Sequence, residues 1–122
     1  MKKNRTKLRN KLDAQWSLVI RQKGRCEYCG KDSYLNAHHF YSRSALSTRW
    51  VLENGFCLCS GHHTLSSTFS AHKTPANFVE WAIETRGLDW YANLKKRHNT
   101  ITILSDFELE MTLEKLRLMQ NG

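Results

Sequence analysis

Two short pairs of metal-type side chains, Cys26-x-x-Cys29 and Cys59-x-x-His62, constrain this chain more than any other feature. Each pair can grip one ion from two sides, and four such ligands complete a tetrahedral zinc, so residues 26–29 and 59–62 must meet in space and close the chain between them into a loop. That use of His62 leaves His38, His39 and His63 over. All three lie in the stretch from Asn36 to His63, which opens on one His pair, carries Asn54 towards its middle and closes on a second pair. Imidazoles with no zinc to serve need another role, and a catalytic divalent metal with a general base beside it supplies one. A CxxC pair alone also fits a redox dithiol, but that reading wants a strand before it and a helix after it in a βαβ setting, which the pattern here lacks. Cys57 remains as a spare thiol.

Charge narrows the partners. The 122 residues carry a formal net charge of +8 and a pI near 9.6, which suits a polyanion, because basic side chains release counterions from a phosphate backbone. Nucleic acid is the expected partner. No stretch is long and apolar enough to span a bilayer, and the lysine-rich start lacks the apolar core of a signal peptide. An intracellular, cytoplasmic protein without membrane contact is therefore expected, its cysteines kept as thiolate ligands in a reducing compartment. The length allows one compact domain with a modest core that a metal staple would strengthen.

Taken in order, residues 1–11 hold six basic side chains and no acidic one, and Leu8, Leu12, Trp16, Val19 and Ile20 recur at helical spacing. A basic amphipathic helix over residues 6–22 follows, ended at Gly24, with Lys7, Arg9 and Lys11 facing away from the core and towards DNA, or into solvent as a plain charged tail. Residues 34–41 alternate weakly as a short strand, which would aim His38 and His39 at opposite faces unless the chain is locally irregular. Residues 42–52 read as a loop or distorted helix in which Arg43 and Arg49 are either phosphate contacts or ordinary charges with solvent or ion-pair partners. Asn54-Gly55 signals a hairpin-type turn into a second strand at residues 56–59. Residues 61–70 are rich in Ser and Thr, so a helix there is weak. Thr74-Pro75 starts a helix that runs to Gly87, residues 88–98 form another, and Ser105 with Glu108 makes a capping box for a last one to Gln120. This final helix is acidic, so it packs on the domain or meets a protein partner and does not touch DNA.

The runs AHHFYSR, RWVLENGFCLC and SGHH together resemble the HNH endonucleases, the ββα-metal nucleases stapled by a zinc ribbon, and look most like the small ones of phages and mobile elements. The resemblance covers roughly residues 26–72. It implies an α+β fold: a ββα-metal finger held by structural zinc at Cys26, Cys29, Cys59 and His62 and flanked by N- and C-terminal helices. The corresponding segments are residues 1–24, 25–73 and 74–122. It also implies that His38 and His63 bind a single catalytic metal (Mg2+ or Mn2+, or else Zn2+ or Ni2+), that His39 is the general base, and that Asn54 braces the loop between the strands. The activity implied is hydrolysis of DNA to 5′-phosphate and 3′-hydroxyl ends, in a host's cytoplasm for a phage protein. The second zinc pair is usually CxxC in that family; here its last member is His62, still a zinc ligand.

A third ligand for the catalytic metal is argued both ways. On an unbroken helix the partner of His63 one turn on is Ser67, a poor ligand, while His72 would lie on about the opposite face and roughly 13.5 Å away. His72 reaches only where the helix ends early and the chain doubles back near Ser70-Ala71. The resemblance leans the same way, since phage-type members often carry a His shortly before a helix of the Thr74-Pro75 kind. Two other functions compete. A zinc-stapled DNA-binding module without catalysis accounts for the charge and the Cys site but not for His38, His39 and His63, and a zinc-dependent protein-interaction domain leaves the basic N-terminus unused as well.

Overall fold

The computed structural model describes residues 2–120, with side chains from Arg5 onward. Met1, Asn121 and Gly122, which fall within the expected segments 1–24 and 74–122, lie outside the described residues, as do the side chains of Lys2 and Lys3. Helix α1 spans Lys2–Arg21. Its stripe of Leu12, Trp16 and Ile20 is buried as the periodicity predicts, and Gly24 turns the chain away at φ +73°, a left-handed conformation that suits glycine.

Strand β1 (Leu35–His39) pairs antiparallel with β2 (Gly55–Cys59), Ala37 opposite Cys57 and His39 opposite Gly55. The first strand is shorter than residues 34–41. Tyr34 sits at φ +55°, outside the extended region, and past His39 the pairing passes to Asn54. The Phe40 N–H donates to the Asn54 carbonyl, and the Tyr41 N–H donates to Asn54 Oδ1 at 2.8 Å. Asn54-Gly55 is not a hairpin turn. Residues 40–54 connect the strands, ending in a 3-10 turn at Leu52–Asn54, and Gly55 is already extended at φ −105°. It is glycine for space: a Cβ there would lie 2.8 Å from Trp16 Cζ2 and against the Ile20 side chain.

Every residue of β2 is buried, so both faces of the sheet are covered. Cys57 points into a core with Leu12, Trp16 and Ile20 of α1. Leu109, Leu113 and Leu116 of α4 (Asp106–Met119) complete that core. Phe56 and Leu58 point the other way, onto Phe78 and Ala82 of α2 (Pro75–Arg86). Gly87, at φ +95°, separates α2 from α3 (Leu88–His98). Arg86 ties this layer to the sheet: it donates to the Gly55 carbonyl at 2.6 Å and to Glu27 at 2.9 Å, with its guanidinium 3.5 Å above the Phe56 ring. The expected Ser105–Glu108 capping box starts α4. The fold is α+β, helices on both faces of a small two-stranded antiparallel sheet. Among the described residues no helix is long and apolar enough to cross a membrane.

After β2 the chain forms only one wide turn, a π-helical Gly61–Leu65 closed by the Ser66 N–H on the Gly61 carbonyl at 2.8 Å. The weak helix expected over residues 61–70 stops there. Ser66 Oγ accepts from the Thr68 and Phe69 amides, and Ser70 Oγ donates back to the Ser66 carbonyl at 2.7 Å. Local side-chain bonds of this kind reverse the chain in place of a further helical turn.

Candidate metal centres and their cleft

The reversal at residues 66–70 has a direct consequence. It lays residues 71–72 alongside 62–63, with Ala71 N–H on the His62 carbonyl and His72 N–H on the His63 carbonyl at 3.0 Å. His72 Nε2 thereby comes to 3.1 Å from His63 Nε2. His38, on the same side of the sheet as Phe56, packs its ring edge-on against both, at centroid separations of 5.2 Å to His63 and 5.1 Å to His72. One ligand nitrogen from each of the three imidazoles lies within 4.8 Å of the others, a spacing that could hold one ion. Ser67 stays on the exposed turn.

Electrostatics disfavour the charged form of His38 and His63. Burial, then the facing His63 and His72, push His38 down to about 3, and burial with His72 lowers His63. Both shifts favour the neutral ring with a free lone pair, the state metal binding requires.

His39 takes the opposite face, as strand alternation demands. Its ring stacks on Trp16 at 3.9 Å and 11°, and its Nε2 lies 2.9 Å from the Arg49 carbonyl. A carbonyl only accepts, so Nε2 carries the proton and Nδ1 keeps the lone pair. Burial lowers the His39 pKa, partly offset by that hydrogen bond. His39 is not among the three clustered imidazoles, but it lines the same open cleft of about 410 Å³ with His38, His63, His72, Arg43 and Phe78. Asn54, fully buried, joins the two ends of the connecting segment: its Oδ1 accepts from Tyr41 N–H and its Nδ2 donates to the Tyr41 carbonyl at 3.0 Å.

The second cluster is Cys26, Cys29, Cys59 and His62, again with ligand atoms within 4.8 Å of one another. Two sulfurs about 2.3 Å from one tetrahedral zinc stand about 3.8 Å apart. Cys29 and Cys59 are at 3.8 Å, Cys26 Sγ to His62 Nδ1 is 3.8 Å, and Cys59 Sγ to His62 Nδ1 is 3.3 Å. These residues fit a metal ion such as zinc. Burial opposes ionisation of Cys26, yet backbone N–H groups of Cys59, Cys29 and Tyr28 and the His62 ring bring its thiol down to about 6. Cys29 is raised instead, by desolvation and by the thiols of Cys26 and Cys59. The Tyr28 ring lies beside His62, centroids 4.7 Å apart, and stacks on Phe69 at 3.8 Å.

The basic residues divide. Arg49 is not open to phosphate: its side chain, 14% exposed, is clamped by both oxygens of Asp13 at 3.0 and 2.7 Å, and Trp50 Nε1 donates to the same carboxylate. The ion-pair alternative holds because α1 brings Asp13 against the connecting segment, a pairing with no local sequence signal. Arg9 does not simply face away, since its Nε is buried without a partner. Lys7 and Lys11 are exposed, and Arg43, at 68% exposure, stands at the cleft with Asp13 3.9 Å away. Sequence patterning identified Trp16 as core but missed that it carries His39, and it missed Asp13 and Arg86 altogether. Comparison of the chain with known protein families, curated proteins and solved structures returned no match.

Proposed function

We propose that this protein is a metal-dependent endonuclease of the HNH type that hydrolyses DNA phosphodiester bonds. The observation that carries the reading is the convergence on one cleft of three clustered imidazoles and a fourth, His39, whose tautomer is set by a backbone carbonyl. His38, His63 and His72 would hold the catalytic ion, and three imidazoles favour Zn2+ or Ni2+ over Mg2+ and Mn2+, which prefer oxygen ligands. Bound there, a divalent cation supplies positive charge for the phosphoryl oxygens and the leaving 3′ oxygen. His39 Nδ1 takes the proton of the attacking water. Trp16 and the Arg49 carbonyl hold that ring in place, so little is lost to its reorientation. Asn54 keeps the segment after β1 at a constant distance from β2. Arg43 at the cleft and Lys7 and Lys11 on α1 attract the phosphate backbone, while the Cys26–His62 cluster has no position open for water and serves structure.

One contact favours a second reading. The His63–His72 approach of 3.1 Å is also a plain hydrogen bond, as it would be in a DNA-binding module without catalysis. Incubating zinc-loaded protein with supercoiled plasmid, with Mn2+, Ni2+, Zn2+ or Mg2+ and with EDTA, separates the two. Metal-dependent nicked or linear product supports the nuclease, and retarded but intact plasmid under every metal supports the module.

A further inference from the structure

Helix α4 carries two apolar stripes, and the core uses one. Leu109, Leu113 and Leu116 are buried against α1 and the sheet. Phe107, Met111 and Leu118 are exposed, by 69%, 45% and 79%. At about 100° per residue these three fall within about 40° of one another and roughly opposite the buried stripe. With Glu114 they follow the 4-3-4 spacing of a helix-pairing seam.

We infer that this outer face pairs with the same face of a second copy of the chain, antiparallel, about a two-fold axis between Thr112 and Leu113. Charge selects both the occupant and the direction. Glu108 and Lys115 flank one side of the seam and Glu110 and Arg117 the other, acids in the first half of the helix and bases in the second. Running two copies antiparallel sets Glu108 against Lys115 and Glu110 against Arg117 on both sides of the axis, while Phe107 meets Leu118 and Glu114 meets Met111. A parallel pair would place Glu114 against its own copy inside the seam, a like-charge contact. Arg117 Nη1 already neutralises Glu114 at 2.8 Å within the helix, which lets Glu114 lie beside Met111. The +8 chain otherwise repels itself; α4, with four acidic side chains against two basic, is where that repulsion is least. A 14-residue helix is about 21 Å long, so the contact lies at the low end of specific interfaces, about 1,200 Å² in total, and the dimer is concentration-dependent.

Sedimentation equilibrium of the zinc-loaded full chain over roughly a hundredfold concentration range should show the mass rising towards twice the monomer. Leu118→Glu, at an exposed position, should weaken the dimer at least about tenfold without changing the unfolding midpoint at concentrations where the parent is monomeric. Glu110→Lys and Arg117→Glu should each weaken self-association, and mixing the two variants should recover it, because each then faces its complement across an antiparallel seam. A monomer at all concentrations, a dimer indifferent to Leu118→Glu, or a mixture no stronger than its components would overturn the proposal.

Discussion

His39 carries two loads at once. Its Nε2–H is spent on the Arg49 carbonyl and its ring covers Trp16, so deleting the ring would open the core as well as remove the proposed base. His39→Gln is the cleaner test, since an amide keeps a donor for the carbonyl. Cleavage should fall by about 10²–10⁴-fold, the usual contribution of a positioned base, with zinc content and DNA affinity near those of the parent protein. Unchanged cleavage would remove His39 from the role. Arg49 tests the opposite assignment. Arg49→Ala strands Asp13, whose carboxyl pKa is lowered despite burial, through Arg49, Trp50 and Arg43. The variant should lose about 1–3 kcal/mol in denaturant titration and leave the salt dependence of DNA binding as it was. Lys7→Ala or Lys11→Ala should do the reverse, reducing the salt slope by about 1 for each phosphate no longer neutralised, without affecting stability. Substitution serves better here than removal of residues 1–11, because Leu8 packs on the core and Arg5 bonds Asp106.

Between elements, the placement of His72 turns on one short reversal. His72→Ala should raise the metal concentration for half-maximal cleavage at least several-fold, whereas Ser67→Ala, on the exposed turn, should not. The opposite pattern in metal titrations would give the ligand to Ser67 and require a continuous helix. The α1–β2 crossing is equally constrained. Gly55→Ala puts a methyl into Trp16 and Ile20, and overpacking of this kind costs about 1–3 kcal/mol. A midpoint unchanged by that substitution would contradict the close approach.

For the whole molecule, the Cys26–His62 cluster joins the segment before β1 to the end of β2 and the turn that follows it. Structural zinc binding is worth on the order of 10 kcal/mol, comparable to the total stability of a small domain. Cys59→Ser should therefore lose metal and fold together, read by zinc content and far-UV circular dichroism; a folded, metal-free protein would contradict the assignment. Cys57→Ser should keep its zinc. It should not be silent, because Cys57 is fully buried in the α1/α4 core, where burial and the nearby Glu27 raise its thiol to about 11. An added hydroxyl without a partner there costs about 1–3 kcal/mol.

The sequence by itself determined the local rules. Leu12, Trp16 and Ile20 at helical spacing predict α1, Thr74-Pro75 and Ser105–Glu108 predict the starts of α2 and α4, and the two Cys/His pairs predict one four-ligand cluster, because caps, periodicity and ligand spacing act within a few residues. What lay between remote segments stayed open. Arg49 as phosphate contact or ion pair depended on Asp13, 36 positions earlier in the chain. Asn54-Gly55 has the composition of a turn, but the packing of α1 on β2 claims Gly55 for a strand. His72 was nine residues from His63 on a helix of unknown length, and the distance closed only because Ser66 and Ser70 reverse the backbone so that 71–72 run beside 62–63. Only the tertiary structure decides such pairings, since their energies come from groups that no local pattern brings together.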